Sequence, residues 1–145
     1  MRLLLQRVRE ARVEVAGEVV GEIGPGLLVF VGVFPEDTPA VAGRLVERML
    51  GLRIFADGNK AMNRSVQDVD GGVLLVSQFT LAADTSRGRR PGFTTAAAPA
   101  HAEAIYDQMV EMTRSVHAQV ACGRFGADMQ VHLVNDGPVT FVLDS

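Results

Sequence analysis

Met129-Gln130-Val131-His132-Leu133-Val134-Asn135-Asp136-Gly137-Pro138-Val139-Thr140-Phe141-Val142-Leu143 is the stretch on which the reading of this chain turns. Residues 129–134 alternate apolar and polar, and Phe141-Val142-Leu143 is strand-like again. Between them stand Asn135, Asp136, Gly137 and Pro138, which favour turns for separate physical reasons. One reading is a hairpin, with two strands joined at Gly137-Pro138. The other takes Gly137-Pro138 as a rigid tool. Glycine lets main chain approach a bound molecule closely, and proline is the residue that readily permits a cis peptide bond. A cis bond would hold two carbonyls in an orientation that a flexible loop does not keep. The sequence leaves both readings open.

Upstream of this stretch, residues 2–8 predict a first strand. Ala11, Val13 and Val15 alternate with Arg12 and Glu14 as a half-buried strand, and Gly17-Glu18 turns the chain into a partner at 18–23. Gly24-Pro25-Gly26 is a break. The apolar run Leu27 to Val33 predicts a strand buried on both faces. Thr38-Pro39 opens a helix, with a capping hydroxyl and proline at the first helical position. Val41, Leu45, Met49 and Leu52 mark its inner face. Arg53-Ile54-Phe55 reads as a short strand, 56–62 as a loop, and Val73 to Val76 as a central strand ending in Ser77, Gln78 and Thr80. Residues 82–98 form a long loop. Pro99 opens the longest helix, whose buried side is read as Ala102, Ile105, Met109, Met112, Val116 and Val120, with Gly123 as its stop. Strands with two main helices, without regular alternation, predict an α+β fold built on a mostly antiparallel or mixed sheet.

The 145 residues suit one domain, taken as 1–145. A hydrophobic fraction of 48% is ample for a core, and no run of 18 apolar residues offers a membrane span. The N-terminal segment lacks the full apolar region and cleavage site of a signal peptide. The single cysteine, Cys122, excludes an intrachain disulfide and fits a reducing compartment, so a cytoplasmic location is expected. Lys and Arg number 14 against 17 Asp and Glu, a net charge of −3, which argues mildly against a duplex-binding protein. Arg87, Arg89 and Arg90 form the one candidate patch for RNA, with a solvated loop as the alternative reading.

Standard catalytic machinery is missing. No nucleophile elbow surrounds Ser77, and there is no P-loop and no zinc-ligand spacing. His101 and His117 fall on the long helix and are expected in solvent, while His132 faces outward from a strand. Cys122, near a helix end with no paired histidine, is expected to be inert. Neither a metal nor an organic cofactor is expected. Ester hydrolysis needs little beyond a held water and stabilisation of the oxyanion, which backbone N–H groups supply. A strand ending in Ser77-Gln78-Phe79-Thr80 can present such groups. Ordinary strand-end hydrogen bonding is the competing account of the same residues.

Ser77-Gln78-Phe79-Thr80-Leu81 and Asn135-Asp136-Gly137-Pro138-Val139-Thr140 together resemble the D-aminoacyl-tRNA deacylase family. Gln6-Arg7-Val8, Arg53-Ile54-Phe55, Met62-Asn63, Arg90-Pro91 with Phe93, Gly123-Arg124-Phe125 and Ala127-Asp128-Met129 extend the resemblance along the whole chain. Gly92 stands where the family pattern leads one to expect a serine or similar residue. The resemblance implies a homodimer with a barrel-like body that hydrolyses the ester of D-aminoacyl-tRNA. The backbone amide of Phe79, with its neighbours Ser77, Gln78 and Thr80, is expected to bind the ester carbonyl, and Gln78 to support the pocket. Thr80 has been considered a nucleophile in the family, but no base here is placed to activate it. Gly137-Pro138 is expected to be cis and to reach the partner's pocket, where it would exclude L side chains by clash. Arg7 is expected to brace that segment, and Met129 either lines the pocket or, as the competing reading, belongs to the core. A non-catalytic tRNA-binding dimer and a small-molecule D-amino-acid esterase are the alternatives.

Overall fold

In the computed structural model, which describes all 145 residues, a six-stranded mixed sheet curls toward closure with two helices on one face. The strands are β1 (Arg2–Val15), β2 (Glu18–Ile23), β3 (Gly26–Gly32), β4 (Gly72–Ser77), β5 (Val120–Cys122) and β6 (Gln130–Asp144). The helices are α1 (Pro39–Gly51) and α2 (Pro99–Val116). Along the sheet the order is β2-β1-β3-β4-β5, and β6 pairs with the other edge of β1. The pairs of β1 are antiparallel, whereas β3, β4 and β5 run parallel. The far edges come together closely enough that a Cβ on Gly21 of β2 would lie 2.5 Å from the carbonyl oxygen of Cys122 in β5.

The two segments read separately at the N-terminus are one strand of 14 residues. Its buried side changes parity, from Leu3 and Leu5 to Val8 and back to Ala11 and Val13. Register shifts against β6 on either side of Val8 account for this, because each displacement of one residue moves side chains to the opposite face. Leu3 and Leu5 therefore join the main core beneath the helices, while Val8, Ala11 and Val13 pack with Leu28, Leu74 and Val76 inside the curl. β3 and β4 contribute to both clusters, as expected of strands covered on both faces.

Thr38 caps α1, its hydroxyl accepting from the Val41 N–H. The buried stripe is Ala42, Leu45, Val46, Met49 and Leu50, rotated from the one expected, because Val41 packs at the edge and Leu52 lies past the helix. α2 ends at Val116, earlier than Gly123. Val116 is exposed and Val120 belongs to β5, while Tyr106, Val110 and Thr113 complete the inner face. His117, expected in solvent, is buried with Nε2 2.7 Å from the Gly71 carbonyl oxygen. Cys122 lies on β5, away from a helix end. Arg53-Ile54-Phe55 forms no strand, only a single bridge from Phe55 to Arg64. The loop beyond it is ordered by Asp57, whose carboxylate accepts from the N–H groups of Lys60 and Asn59 and is held at a pKa of about 2.

The chain ends meet in the sheet. The Met1 ammonium lies 2.6 Å from Oδ1 of Asp37 and 2.8 Å from Oγ of Ser145, and Asp37 Oδ2 accepts from the Phe34 N–H. Met1 and Asp37 are both buried, so each requires the other. Asp37→Ala is expected to lower the unfolding free energy by about 3 kcal/mol, since removal of one partner leaves a buried charge uncompensated. Urea denaturation measures this; an unchanged midpoint would show the pair to be dispensable.

Candidate active site

β4 ends where its pairing with β3 ends. Ser77 is its last residue, opposite Val31, and the Gln78 N–H donates to the Val31 carbonyl at 2.8 Å. The chain then folds into a 3-10 turn, Phe79–Ala82, closed by Leu81 N–H to Gln78 O and Ala83 N–H to Thr80 O. The first N–H groups of such a turn have no partner within it. Phe79 and Thr80 supply those groups here, and both residues are exposed. The Gln78 amide donates to the Thr80 hydroxyl at 2.5 Å, which ties the two side chains together.

A pocket of about 420 Å³ opens over this turn. Val76, Ser77, Gln78 and Phe79 form one wall, and Pro99 and Ala102 from the start of α2 form another. The segment Phe125–Met129 closes it. Small side chains at Ala97 and Ala102 leave the space, and Phe125 is set by its ring contact with Tyr106, centroids 6.0 Å apart. Tyr106 is fixed in turn by its hydroxyl donating to the Leu75 carbonyl, and burial pushes its phenol pKa upward. Met129 reaches the pocket because Gly123 lacks a side chain: a Cβ there would stand 2.7 Å from the Met129 sulfur. Asp128 is the one carboxylate on the lining, and it hydrogen-bonds to none of Ser77, Gln78 or Thr80. The lining is mostly apolar, with Ser77, Gln78 and Asp128 among its polar members, as in pockets for small organic groups.

Gly137-Pro138 is not part of that lining. Both residues are exposed, and the peptide bond between them is cis. Of the two readings of this stretch the hairpin fails: β6 is one strand that pairs with β1 on both sides of the interruption. Thr140 faces Gln6 and Asn135 faces Val8, so the residues from Asp136 to Val139 are thrown out of the ladder opposite Arg7. Asn135 spans the gap, its Oδ1 accepting from the Val139 N–H at 2.8 Å and its Nδ2 donating to the Thr140 hydroxyl at 3.1 Å. Arg7 donates from Nε to the Asp136 carbonyl at 3.1 Å and from Nη1 to the Ile54 carbonyl at 2.6 Å, and it pairs with the Asp136 carboxylate at 3.3 Å. Gly137 has φ +135°, and a Cβ on it would meet Val139 at 2.7 Å.

Arg87, Arg89 and Arg90 occupy the tip of a loop whose base is a bridge between Asp84 and Gly92. All three are exposed, and none enters an ion pair within the chain. The structure thus brings Ser77, Gln78, Phe79 and Met129 around one pocket, sets Thr80 on the adjoining turn, and leaves Arg7, Gly137 and Pro138 on a separate surface. Sequence reasoning had not assigned pocket roles to Ala102 or Phe125. For Phe125 the signal was the Gly123-Arg124-Phe125 motif; for Ala102 there was none.

This arrangement defines a class: a nearly closed mixed-sheet barrel with a pocket at the end of a central strand. The sequence profile of the family described as D-Tyr-tRNA(Tyr) deacylase matches residues 4–144, and the chain belongs to that family. A D-aminoacyl-tRNA deacylase of Stutzerimonas stutzeri is 62% identical over the full length of both chains. One of Pseudomonas paraeruginosa is 60% identical over 99% of each. Among solved structures, one described as c-Myc DNA Unwinding Element Binding Protein superposes with a TM-score of 0.95 at 39% identity, covering 100% of this chain and 99% of that one. A probable eukaryotic D-amino acid tRNA deacylase has a TM-score of 0.86 at 19% identity over 99% and 98%, a likeness of fold.

Gly137→Ala is expected to destabilise the protein by about 1–3 kcal/mol, because an L side chain is strained at that φ and crowds Val139. Chemical denaturation reads the loss; full stability would mean the bulge relaxes freely.

Proposed function

We propose that this protein hydrolyses the ester of D-aminoacyl-tRNA, with the exposed Phe79 turn beside an apolar pocket as the observation that carries the reading. The aminoacyl-adenosine end of the tRNA enters between Phe125, Ala102 and Met129. The carbonyl oxygen of the ester lies on the Phe79 N–H, which stabilises the negative charge that builds as water attacks. The carbon–oxygen bond to the ribose then breaks, giving free amino acid and tRNA. The ribose 2′-hydroxyl assists the attacking water, and the protein's share is positioning. Ser77 and Gln78 keep the turn in shape, and Thr80 is held by Gln78 instead of being activated by a base.

Handedness is read by Gly137-Pro138. In its own chain this segment lies outside the pocket, which favours a homodimer in which each protomer lends it to the other. Its carbonyls engage the α-ammonium group and fill the space that an L side chain needs. Arg7, bonded to both Asp136 and Ile54, is the positioning residue that sets how far the segment projects. Glycine has no side chain to exclude, so glycyl-tRNA is hydrolysed too. Arg87, Arg89 and Arg90 contact RNA phosphates, although the net charge is −3. Aminoacyl-tRNA is a cytoplasmic substrate, and no helix is long and apolar enough to cross a membrane.

The decisive assay compares D-tyrosyl-tRNA with L-tyrosyl-tRNA. Release of D-tyrosine with the L ester spared is expected; equal rates refute the chiral mechanism. Salt-dependent tRNA binding without turnover would instead identify a non-catalytic binding dimer. Phe79→Pro removes one N–H at a position where proline fits a helical turn, and should lower kcat by about 10²–10³. Thr80→Ala should keep most of the activity, and its complete loss in a folded variant would make Thr80 the nucleophile. Sedimentation should give a dimer; a monomer with full selectivity removes the shared-site arrangement.

A further inference from the structure

The rings of Phe79 and Phe93 stand 5.1 Å apart, tilted by 48°, and are 58% and 42% exposed. Two adjacent aromatic side chains left in solvent at the rim of a pocket are a surface that invites a flat partner. Phe79 belongs to the turn over the pocket, and Phe93 follows directly on the loop that carries Arg87, Arg89 and Arg90. We propose that this pair is a stacking platform for the nucleobase preceding the terminal adenosine, so that the site takes a single-stranded RNA end of at least two nucleotides. The proposal rests on the reading of the pocket as an aminoacyl-tRNA ester site.

The platform is rigidly placed. Asp84 and Gly92 exchange two backbone hydrogen bonds of 2.8 Å at the base of the arginine loop. The Thr95 hydroxyl donates to the Ala82 carbonyl at 2.5 Å, which ties the segment after Phe93 to the turn that holds Phe79. The Ala96 N–H donates to the Phe93 carbonyl, and the Ala97 N–H to Val33. Asp84 is the one carboxylate of the loop, and it is turned to the Ser86 N–H at its base. The three guanidiniums at the tip are therefore left for phosphates. A strand leaving the pocket passes the two rings before it reaches them. Stacking on an aromatic face is tolerant of base identity, and it suits a 3′ end shared by all tRNAs. A base-paired end has no free face to offer, so the platform selects unpaired RNA.

The test uses one D-amino acid esterified to adenosine, to cytidylyl-adenosine and to tRNA. For the unchanged protein, kcat/KM should rise about tenfold from the nucleoside to the dinucleotide ester. Phe93→Ala should abolish that step while leaving the nucleoside ester unaffected, and Phe93→Tyr should restore it. Equal losses on nucleoside and dinucleotide would reduce Phe93 to a structural role, and no loss on either overturns the platform. A second arm does not need turnover: unacylated cytidylyl-adenosine should bind more tightly than adenosine, and Phe93→Ala should remove the difference. Equal affinities for the two in the unchanged protein refute the proposal. If the affinities differ as expected but no ester is hydrolysed, the deacylase reading fails and the platform stands.

Discussion

Proline 138 has no N–H to give to a ladder, and Gly137 turns the chain through a positive φ, so the pairing of β6 with β1 has to open opposite Arg7. Most of the architecture follows from how that gap is managed. The two strands do not separate there. They resume pairing at Gln6 and Thr140 and continue to Arg2 and Asp144, where the guanidinium and carboxylate meet at 2.8 Å. Because both ends of the ladder hold, the excess residues can only be extruded. Asn135 and Arg7 then replace the missing ladder bonds with side-chain ones, and the extruded segment is firmly held although it is exposed.

The same interruption explains what the sequence conceals. Asn135-Asp136-Gly137-Pro138 has the composition of a turn, and nothing local distinguishes a turn from a bulge. The distinction lies in Val8 and Gln6, 127 or more positions away, which stay paired with β6 on either side. Likewise, the change of buried side along β1 made one strand look like two. Strands buried on both faces, at Leu27–Val33 and Val73–Val76, were legible because hydrophobic runs need no partner to be recognised. Helix starts were legible through Thr38-Pro39 and Pro99. The end of α2 was not, since Val116 and Val120 keep an apolar spacing that tertiary packing ignores. His117 reads as a solvent residue on a helix face, but in the fold it is buried and bonded to the Gly71 carbonyl, 46 positions away.

A site that works through main chain, as proposed for this one, is hard to see in a pattern of side chains. Ser77, Gln78 and Thr80 carry polar groups, of which Gln78 and Thr80 bond to each other across the turn; the proposed chemistry falls to the peptide N–H groups of that turn. No spacing rule announces an N–H. Ala102 is invisible for the opposite reason, because it acts by being small. What was legible was the co-occurrence of two short motifs, and that signal came from resemblance, not from chemistry written in the residues. Phe93 belongs to a short motif in the sequence, but only the fold sets its ring beside that of Phe79.

Dividing a site between a pocket and a distant bulge makes sense if the two are joined by a second copy. β6 pairs only with β1, so its other edge is open along a strand of 15 residues that carries exposed Val134 and Val142. Such an edge is normally covered or blunted, and Pro138 blunts it where the bulge projects. On the proposed reading, the bulge is what a copy of the chain would present to its partner, while the turn at Phe79 is what it would offer in return. Selectivity then depends on how the protomers sit, and hydrolysis on a turn each owns alone. On that reading a lone chain retains the donors of its own turn and loses the discrimination, because its own Gly137-Pro138 lies outside its pocket.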